Sequence, residues 1–319
     1  LAGIGMFIGL SIFLSCQSWL DGKAEPPSLE KLKKRVFLFF NVEWCCYLVG
    51  FLIIVVSMLL VMNEELVGGI LGPLGVIMFL TLLYYSFAKL AGDERSRMLA
   101  AMYFILAQIP FWALFEQAGS SLNILTDRGV DRVIFGWEVP ASMFQSLNAG
   151  FIFTIAPLFA FLWIALAKRN IEPSTPVKFS IGIFFVGLGF LALVYGMESS
   201  DGLQTGIIWI VLIYLLHTLG ELCLSPVGLS SVTKLSPQRI VGFMMGMWFF
   251  ASAAGNFVAG EIAKATATDD SGASADVYDL VQKQSFIDVY TNVGLMAVGV
   301  AFVLLLLSPL LNSRSHGIK

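Results

Sequence analysis

The chain alternates between long apolar runs and short polar segments. Nine runs have about 20 residues or more, enough to cross the roughly 30 Å hydrocarbon core of a bilayer as a helix. They are 1–20, 36–62, 66–88, 98–122, 142–167, 177–197, 204–232, 239–262 and 286–311. No segment alternates apolar and polar positions as the strands of an outer-membrane barrel do. The pattern predicts an all-α polytopic membrane protein, because only helices and closed barrels satisfy their backbone groups in lipid.

The composition supports a membrane protein. Hydrophobic residues make up 57% of the chain and charged residues 13%, whereas a water-soluble domain carries about 25% charged residues. The four cysteines, Cys16, Cys45, Cys46 and Cys223, lie inside the apolar runs without metal-ligand spacing. We interpret them as packing residues, and we expect neither a cofactor nor a nucleic-acid partner.

The loop charges predict the orientation. One set of alternate loops, with the C-terminal tail, carries fifteen of the nineteen Lys and Arg residues. The opposite set carries only Arg128, Arg132, Lys264 and Lys283. By the positive-inside rule the basic loops and the C-terminus are cytoplasmic. The first residue would then lie outside, in an apolar run without the basic start of a signal peptide, so we expect further helices of the same protein before Leu1.

Three carboxylates, Glu43, Glu116 and Glu221, lie inside the apolar runs. A charge at the centre of a membrane helix costs about 2.5–3.5 kcal/mol on insertion scales. Glu43 is about two turns from the basic segment that ends at Arg35, so we place it near the membrane interface. Glu116 and Glu221 have no Lys or Arg partner in the membrane part of the sequence. A proton, a basic residue outside this chain or a cationic substrate could neutralise them, and alternation between these partners would couple transport to protons.

Glu116 lies in the stretch FWALFEQAGSS (111–121). Helical spacing places Trp112, Glu116 and Ser120 on one face, and Pro110 is expected to bend the helix. The alternative interpretation is a protonated glutamate that hydrogen-bonds a neighbouring helix.

Glu221 lies in the stretch HTLGELCLSPVGLSSVTKLSP (217–237). His217, Glu221 and Ser225 form a polar stripe at positions i, i+4 and i+8. Pro226 predicts a broken helix at mid-membrane, which is typical of substrate and ion sites in transporters. The alternatives are a core histidine bonded to a carbonyl group and a glutamate with a structural role.

Small residues recur at helical spacing in the eighth run, in patterns that let helices approach closely. These residues are Gly242, Gly246, Ala251, Gly255 and Ala259. The fifth run instead offers two amides, Gln145 and Asn148, that could hydrogen-bond a peptide-like group.

The same stretches resemble a known family. The matching segments are FWALFEQAGSS, FQSLN with the following FIFTIAP (144–157), HTLGELCLSPVGLSSVTKLSP and GFMMGMWFFASAAGN (242–256). They are similar to the C-terminal half of bacterial proton-coupled oligopeptide transporters, which belong to the major facilitator superfamily. The third segment is the most specific, and the resemblance covers about residues 95–260.

The resemblance implies a fold of two helical bundles that rock about a central cavity. Residues 1–20 would be the last helix of the first bundle, 21–94 a cytoplasmic linker and an inserted two-helix hairpin, and 95–319 the second six-helix bundle. The ExxER signature of the family's first helix is absent from this sequence. We therefore expect that the chain does not transport without the first bundle of the same protein.

The resemblance also implies a substrate site. Glu221 would receive the N-terminal ammonium group of a peptide, with Ser225 beside it, and Asn148 would contact the peptide backbone. Family members often carry proline after this asparagine, where the chain has Ala149 and Gly150.

Two further roles follow from the resemblance. Trp112 and Trp248 would lie at the cavity. Glu116 would pair with an arginine of the first helix and help to close the outer gate, so that Glu116 and Glu221 together would couple transport to protons.

The sequence therefore predicts a proton-coupled symporter of di- and tripeptides in a bacterial inner membrane, with the C-terminus in the cytoplasm, and not an enzyme. One alternative is a facilitator of nitrate or another small solute. Another is a proton-conducting subunit of a membrane complex, which would carry lysines buried in the membrane. An intramembrane protease would need a nucleophile with a base or a metal set, and the sequence contains neither HExxH nor GxSxG.

Overall fold

A computed structural model shows a largely helical chain. It describes residues 2–20, 26, 28–37, 40–266 and 278–314; residues 1, 21–25, 27, 38–39, 267–277 and 315–319 lie outside the described residues. Eight helices in the described ranges are long and apolar enough to cross a membrane, and α1 (Ala2–Ser15) is a shorter apolar helix. The prediction of an all-α polytopic protein with about nine spans is confirmed.

Residues 1–70 and 71–319 form two compact units. In the first unit the elements after α1 are α2 (Leu29–Lys33), β1 (Arg35–Phe37), β2 (Phe40–Asn41) and α3 (Val42–Val61). The second apolar run was expected to be helical from residue 36, but β1 and β2 pair in antiparallel fashion there. The helix begins later because the Asn41 side chain accepts a hydrogen bond from the Trp44 amide at 2.9 Å and caps α3.

Glu43 lies in the first turn of α3. Its carboxylate accepts a hydrogen bond from the Tyr47 hydroxyl at 3.3 Å. A carboxylate in the first turn is favoured by the helix dipole, and this position at a helix end agrees with the interfacial interpretation of Glu43.

The second unit begins within α4 (Glu64–Lys89). Its other helices are α5 (Gly92–Phe115), α6 (Ser121–Gly129), α7 (Ala141–Phe144), α8 (Ser146–Lys168), α9 (Thr175–Glu198), α10 (Ile207–Leu235), α11 (Val241–Ala265) and α12 (Leu280–Arg314). The short strands β3 (Val130–Asp131) and β6 (Thr205–Gly206) pair in parallel, and β4 (Val133–Ile134) and β5 (Trp137–Glu138) form a hairpin. The core forms where α9 packs against α10 and α12, and where α5 packs against α11.

The predicted break of α10 at Pro226 is wrong. The helix continues from Ile207 to Leu235 through the proline, and α5 likewise continues through Pro110. One proline removes one backbone donor, and packing against neighbouring helices is enough to retain a membrane helix around it. In α10 that support comes from α9.

The helix break occurs at Glu116 instead. α5 ends at Phe115, a 3₁₀ turn follows over Glu116–Gly119, and α6 begins at Ser121. Ser120 has φ −127° and ψ −107° and so is not helical. The prediction of a common helical face is therefore wrong for Ser120, whereas the Glu116 amide still donates to the carbonyl oxygen of Trp112 as in an α-helix.

The small residues of α11 are of two kinds. Ala251, Gly255 and Ala259 are buried. A Cβ atom on Gly255 would lie 2.7 Å from the Cβ of Trp112, so this stripe packs closely against α5, as predicted. Around Gly242 and Gly246, in contrast, no atom of the described residues lies within 4 Å of such a Cβ atom. This part of the pattern does not pack against another helix of the unit.

The contact between α9 and α10 gives a prediction for stability. A Cβ atom on Gly220 would lie 2.6 Å from the carbonyl oxygen of Gly182, and a backbone group cannot move as a flexible side chain can. We expect Gly220→Ala to destabilise the fold by about 1–3 kcal/mol, lowering the melting temperature by at least about 2 °C. The control Gly246→Ala adds the same methyl group in open space. Equal melting temperatures of the two variants, followed by tryptophan fluorescence, would contradict the close contact.

Candidate substrate site

Glu116 lies at the break between α5 and α6. Glu116 lines a cavity of about 200 Å³ together with Gln145, Asn148, Tyr214 and His217. The glutamate is half-buried. None of the ion pairs between described residues includes it, so the carboxyl group has no resident counter-charge in this part of the chain.

Glu221 is held by Asn148 across the gap between α8 and α10. The Asn148 amide nitrogen lies 2.9 Å from Oε2 of Glu221 and 3.1 Å from Oγ1 of Thr218. Thr218 in turn donates to the carbonyl oxygen of Tyr214 at 2.7 Å. The amide thus fixes one carboxylate oxygen of Glu221 from a different helix. Asn148 is near the start of α8, which is helical through Ala149 and Gly150, where the family often has proline.

Asn148 connects the two carboxyl groups. It lines the cavity together with Glu116, and its amide donates to Glu221. Two like charges in a half-buried site destabilise each other, so the pair favours a proton or a cation. As far as the chain is described, Glu221 also takes part in no ion pair. The arrangement can therefore bind a cationic group or protons.

Trp112 is half-buried near the end of α5. Its indole Nε1 donates to Oε1 of Gln108 at 2.9 Å, and the Gln108 amide donates to the carbonyl oxygen of Trp248 at 2.9 Å. The ring of Trp112 also lies edge-on to Phe115. Trp112 is thus oriented by Gln108, which connects α5 with α11.

Trp248 does not lie at this cavity. Its side chain belongs to the core of the bundle, being 3% exposed, and its ring packs edge-on against Phe179 and covers Gly228. Ser225 is half-buried one turn after Glu221. The structure thus gathers Glu116, Asn148 and Glu221, whereas Trp248 packs between helices.

His217 lines the same cavity as Glu116 but is 2% exposed. Its ring stacks on Phe115 and lies against Phe190. The imidazole Nε2 has no hydrogen-bond partner among the described residues. This arrangement agrees with the alternative interpretation of His217 as a core histidine.

Two buried glutamines position the site and were not singled out in the sequence. Gln108 accepts the hydrogen bond of the Trp112 indole and so orients that ring. Gln117 follows Glu116 and is completely buried, and its amide donates to the carbonyl oxygens of Ala113 and Ala259 at 3.0 Å each. It ties the 3₁₀ turn to α11 and thereby supports the helix break. The sequence signal that could have identified both residues is an uncharged amide within an apolar helix, because a buried amide needs hydrogen-bond partners.

Comparison with known proteins decides the family. The sequence model of the POT family matches residues 1–278. The chain belongs to the POT family. It is 43% identical over 181 residues to the peptide transporter YePEPT of Yersinia enterocolitica, an alignment that covers 56% of this chain and 35% of that protein. The predicted family resemblance is confirmed.

Other relatives of this POT family chain match nearly its whole length. It is 33% identical to the uncharacterized transporter YclF of Bacillus subtilis, over 99% of the chain, and 31% identical to the dipeptide and tripeptide permease B of Aliivibrio fischeri, over 98%. The chain spans 61% of the length of each of these two proteins. It is thus similar to a part of proteins that are named as transporters.

Solved structures confirm the fold. A variant of the peptide transporter POT in complex with alafosfalin superposes with a TM-score of 0.74 at 28% identity, covering 98% of this chain and 60% of that one. A POT family transporter in complex with 5-aminolevulinic acid gives 0.70 at 25% identity, over 97% and 62%. The POT family chain thus has the predicted major facilitator-type architecture, and it is a multi-span membrane protein with bacterial relatives.

Proposed function

We propose that this chain forms the second half of a proton-coupled symporter of di- and tripeptides. The observation that supports the proposal best is the hydrogen bond from Asn148 to Glu221, at a cavity that Asn148 lines together with a second acid, Glu116. Neither glutamate takes part in an ion pair between described residues. A peptide at neutral pH carries an N-terminal ammonium group and polar amides. Glu221 is suited to bind the ammonium group, and Asn148 to bind the amides.

The proposed coupling depends on competition for Glu116 and Glu221. When a peptide ammonium or an arginine of the first bundle is near, the carboxylate form is favoured; when neither is near, burial favours the protonated form. Alternation between these states moves protons with the peptide. An anionic solute such as nitrate is disfavoured, because the two carboxyl groups would repel it and no described Lys or Arg lines the cavity to offset them.

The remaining assignments are part of the same proposal. We assign residues 1–20 to the last helix of the first bundle, 21–94 to the linker and inserted hairpin, and 95–319 to the second bundle. Ser225 would contact the substrate beside Glu221, and Trp112 would form part of the cavity wall. Trp248 reaches the substrate only if α11 moves, because its side chain is buried here. The protein would lie in the bacterial inner membrane with a cytoplasmic C-terminus.

Transport in liposomes tests the proposal. The full-length transporter that contains this chain, reconstituted in proteoliposomes, should accumulate labelled dialanine when the proton gradient is directed inward. A protonophore should abolish the accumulation, because it removes the driving force. Uptake that is insensitive to the gradient would contradict proton coupling, and absence of dialanine exchange in both directions would contradict the peptide substrate.

A further inference from the structure

A second cavity lies between α8, α9 and α10, with a lining that shares no residue with the cavity at Glu116. Its volume is about 530 Å³, within the roughly 300–1,000 Å³ of ligand pockets. Most of the wall is apolar, formed by Ala156, Phe159, Ala160, Leu222, Pro226 and Val227. Transport as proposed above does not use this cavity.

One end of the cavity carries charge. The ammonium group of Lys178 forms an ion pair with Glu172 and lies 4.6 Å from the centre of the Trp163 ring. The side chains of Lys178 and Glu172 are only 9% and 21% exposed. A lysine has three donors and a carboxylate about four acceptor sites, so the pair retains capacity for a further polar group. Burying an ion pair costs free energy unless its remaining donors and acceptors are also hydrogen-bonded.

The polar and apolar parts are ordered along α8. Trp163 lies five residues before the end of the helix at Lys168, whereas Ala156 is seven residues earlier than Trp163, or about 10 Å deeper at 1.5 Å per residue. By the loop charges, the end at Lys168 is the cytoplasmic one. The cavity thus has a charged end at the membrane surface and an apolar part toward the membrane centre, which is the polarity of a phospholipid.

We propose that this cavity binds a phospholipid of the cytoplasmic leaflet. Its phosphate would lie at Lys178 and its acyl chain along the apolar wall. Basic pockets between membrane helices are typical sites of lipid headgroups. Glu172 makes the site selective, because it attracts an amine in the headgroup and repels a second negative charge. A zwitterionic ethanolamine headgroup therefore fits better than an anionic glycerol headgroup. This inference does not depend on the transported substrate.

Native mass spectrometry of the full-length protein in detergent tests the proposal, with phosphatidylethanolamine and phosphatidylglycerol added at equal concentrations. We expect the wild type to retain more phosphatidylethanolamine. Lys178→Met should weaken binding of both lipids about fivefold, because one lysine near the headgroup contributes about 1 kcal/mol. Glu172→Gln should reverse the preference in favour of phosphatidylglycerol. The matched control is Lys168→Met, which removes an exposed lysine at the end of α8, outside the cavity lining.

The neutral double variant Lys178→Met/Glu172→Gln keeps the test valid if the single lysine variant does not fold, since it leaves no unpaired charge. Like Lys178→Met, the double variant should bind both lipids more weakly than the wild type does. Equal lipid occupancy of the Lys178 and Lys168 variants would overturn the proposal, as would an unchanged lipid preference in Glu172→Gln. Displacement of the lipid by soluble glycerophosphoethanolamine at low millimolar concentration would show that the site takes a soluble phosphate rather than a lipid.

Discussion

Glu221→Gln should abolish gradient-driven peptide uptake while the protein still folds. The substitution removes the negative charge that would pair with the peptide ammonium but keeps an oxygen that can accept the hydrogen bond from Asn148. Loss of one partner of a buried charge pair costs about 2–5 kcal/mol, which corresponds to a fall in peptide affinity of about 30-fold or more. Uptake and binding of labelled dialanine by the full-length transporter measure the effect.

The matched control for this variant is Glu198→Gln, which changes the same side chain at an exposed position at the end of α9. The control should transport at the wild-type rate. Normal kinetics in Glu221→Gln would remove Glu221 from the mechanism. A melting temperature equal to that of the wild type would show that the loss of uptake is not a loss of the fold.

Glu116→Gln should separate exchange from accumulation. Glutamine cannot change its charge, so peptide would still cross in counterflow, but the proton gradient would no longer drive concentrative uptake. We expect counterflow of labelled dialanine within about twofold of the wild-type rate and accumulation close to equilibrium, since the coupling step is lost. The helix break should persist, because Gln117 rather than Glu116 ties the turn to α11.

The conservative variant Glu116→Asp retains a titratable carboxyl group and should restore part of the accumulation. The dependence of uptake on external pH should be flat in Glu116→Gln and present in Glu116→Asp. An unchanged pH profile in Glu116→Gln would contradict the coupling role of this residue.

The apolar pattern was sufficient to predict most of the helices but not the path of the backbone at the site. Around Pro226 local chemistry predicted a break, yet α10 is continuous because α9 packs along it. Around Glu116 the sequence predicted a continuous face, yet the helix breaks there and Gln117 bonds α11 across the gap. Both differences arise from contacts between residues about 40 or more positions apart, which periodicity does not report.

The sequence pattern likewise did not report the contacts of the Trp248 and His217 side chains. The spacing of His217, Glu221 and Ser225 was correct as a helical stripe, but the stripe alone does not show which contacts each member makes. In the folded bundle Glu221 accepts a hydrogen bond from Asn148. His217 lines the cavity at Glu116 with its ring against Phe115 and Phe190, and Trp248 covers Gly228. Burial depends on which helix lies opposite, and therefore on tertiary packing.

The apolar runs alone were enough to predict that the chain crosses a membrane as helices and that two acids, Glu116 and Glu221, lie within them without a Lys or Arg in the same runs' interiors. Hydrophobic length and charge placement are local properties, and lipid enforces them residue by residue. The folded structure was needed to show that Asn148 bonds Glu221 and shares a cavity with Glu116, that the helix break lies at Glu116, and that Lys178 and Glu172 form the charged end of a second cavity. The path of the backbone depends on helices that are distant in sequence but adjacent in the fold. Close packing at Gly182 and Gly220 brings α9 and α10 together, and close packing at Gly255 brings α11 against α5.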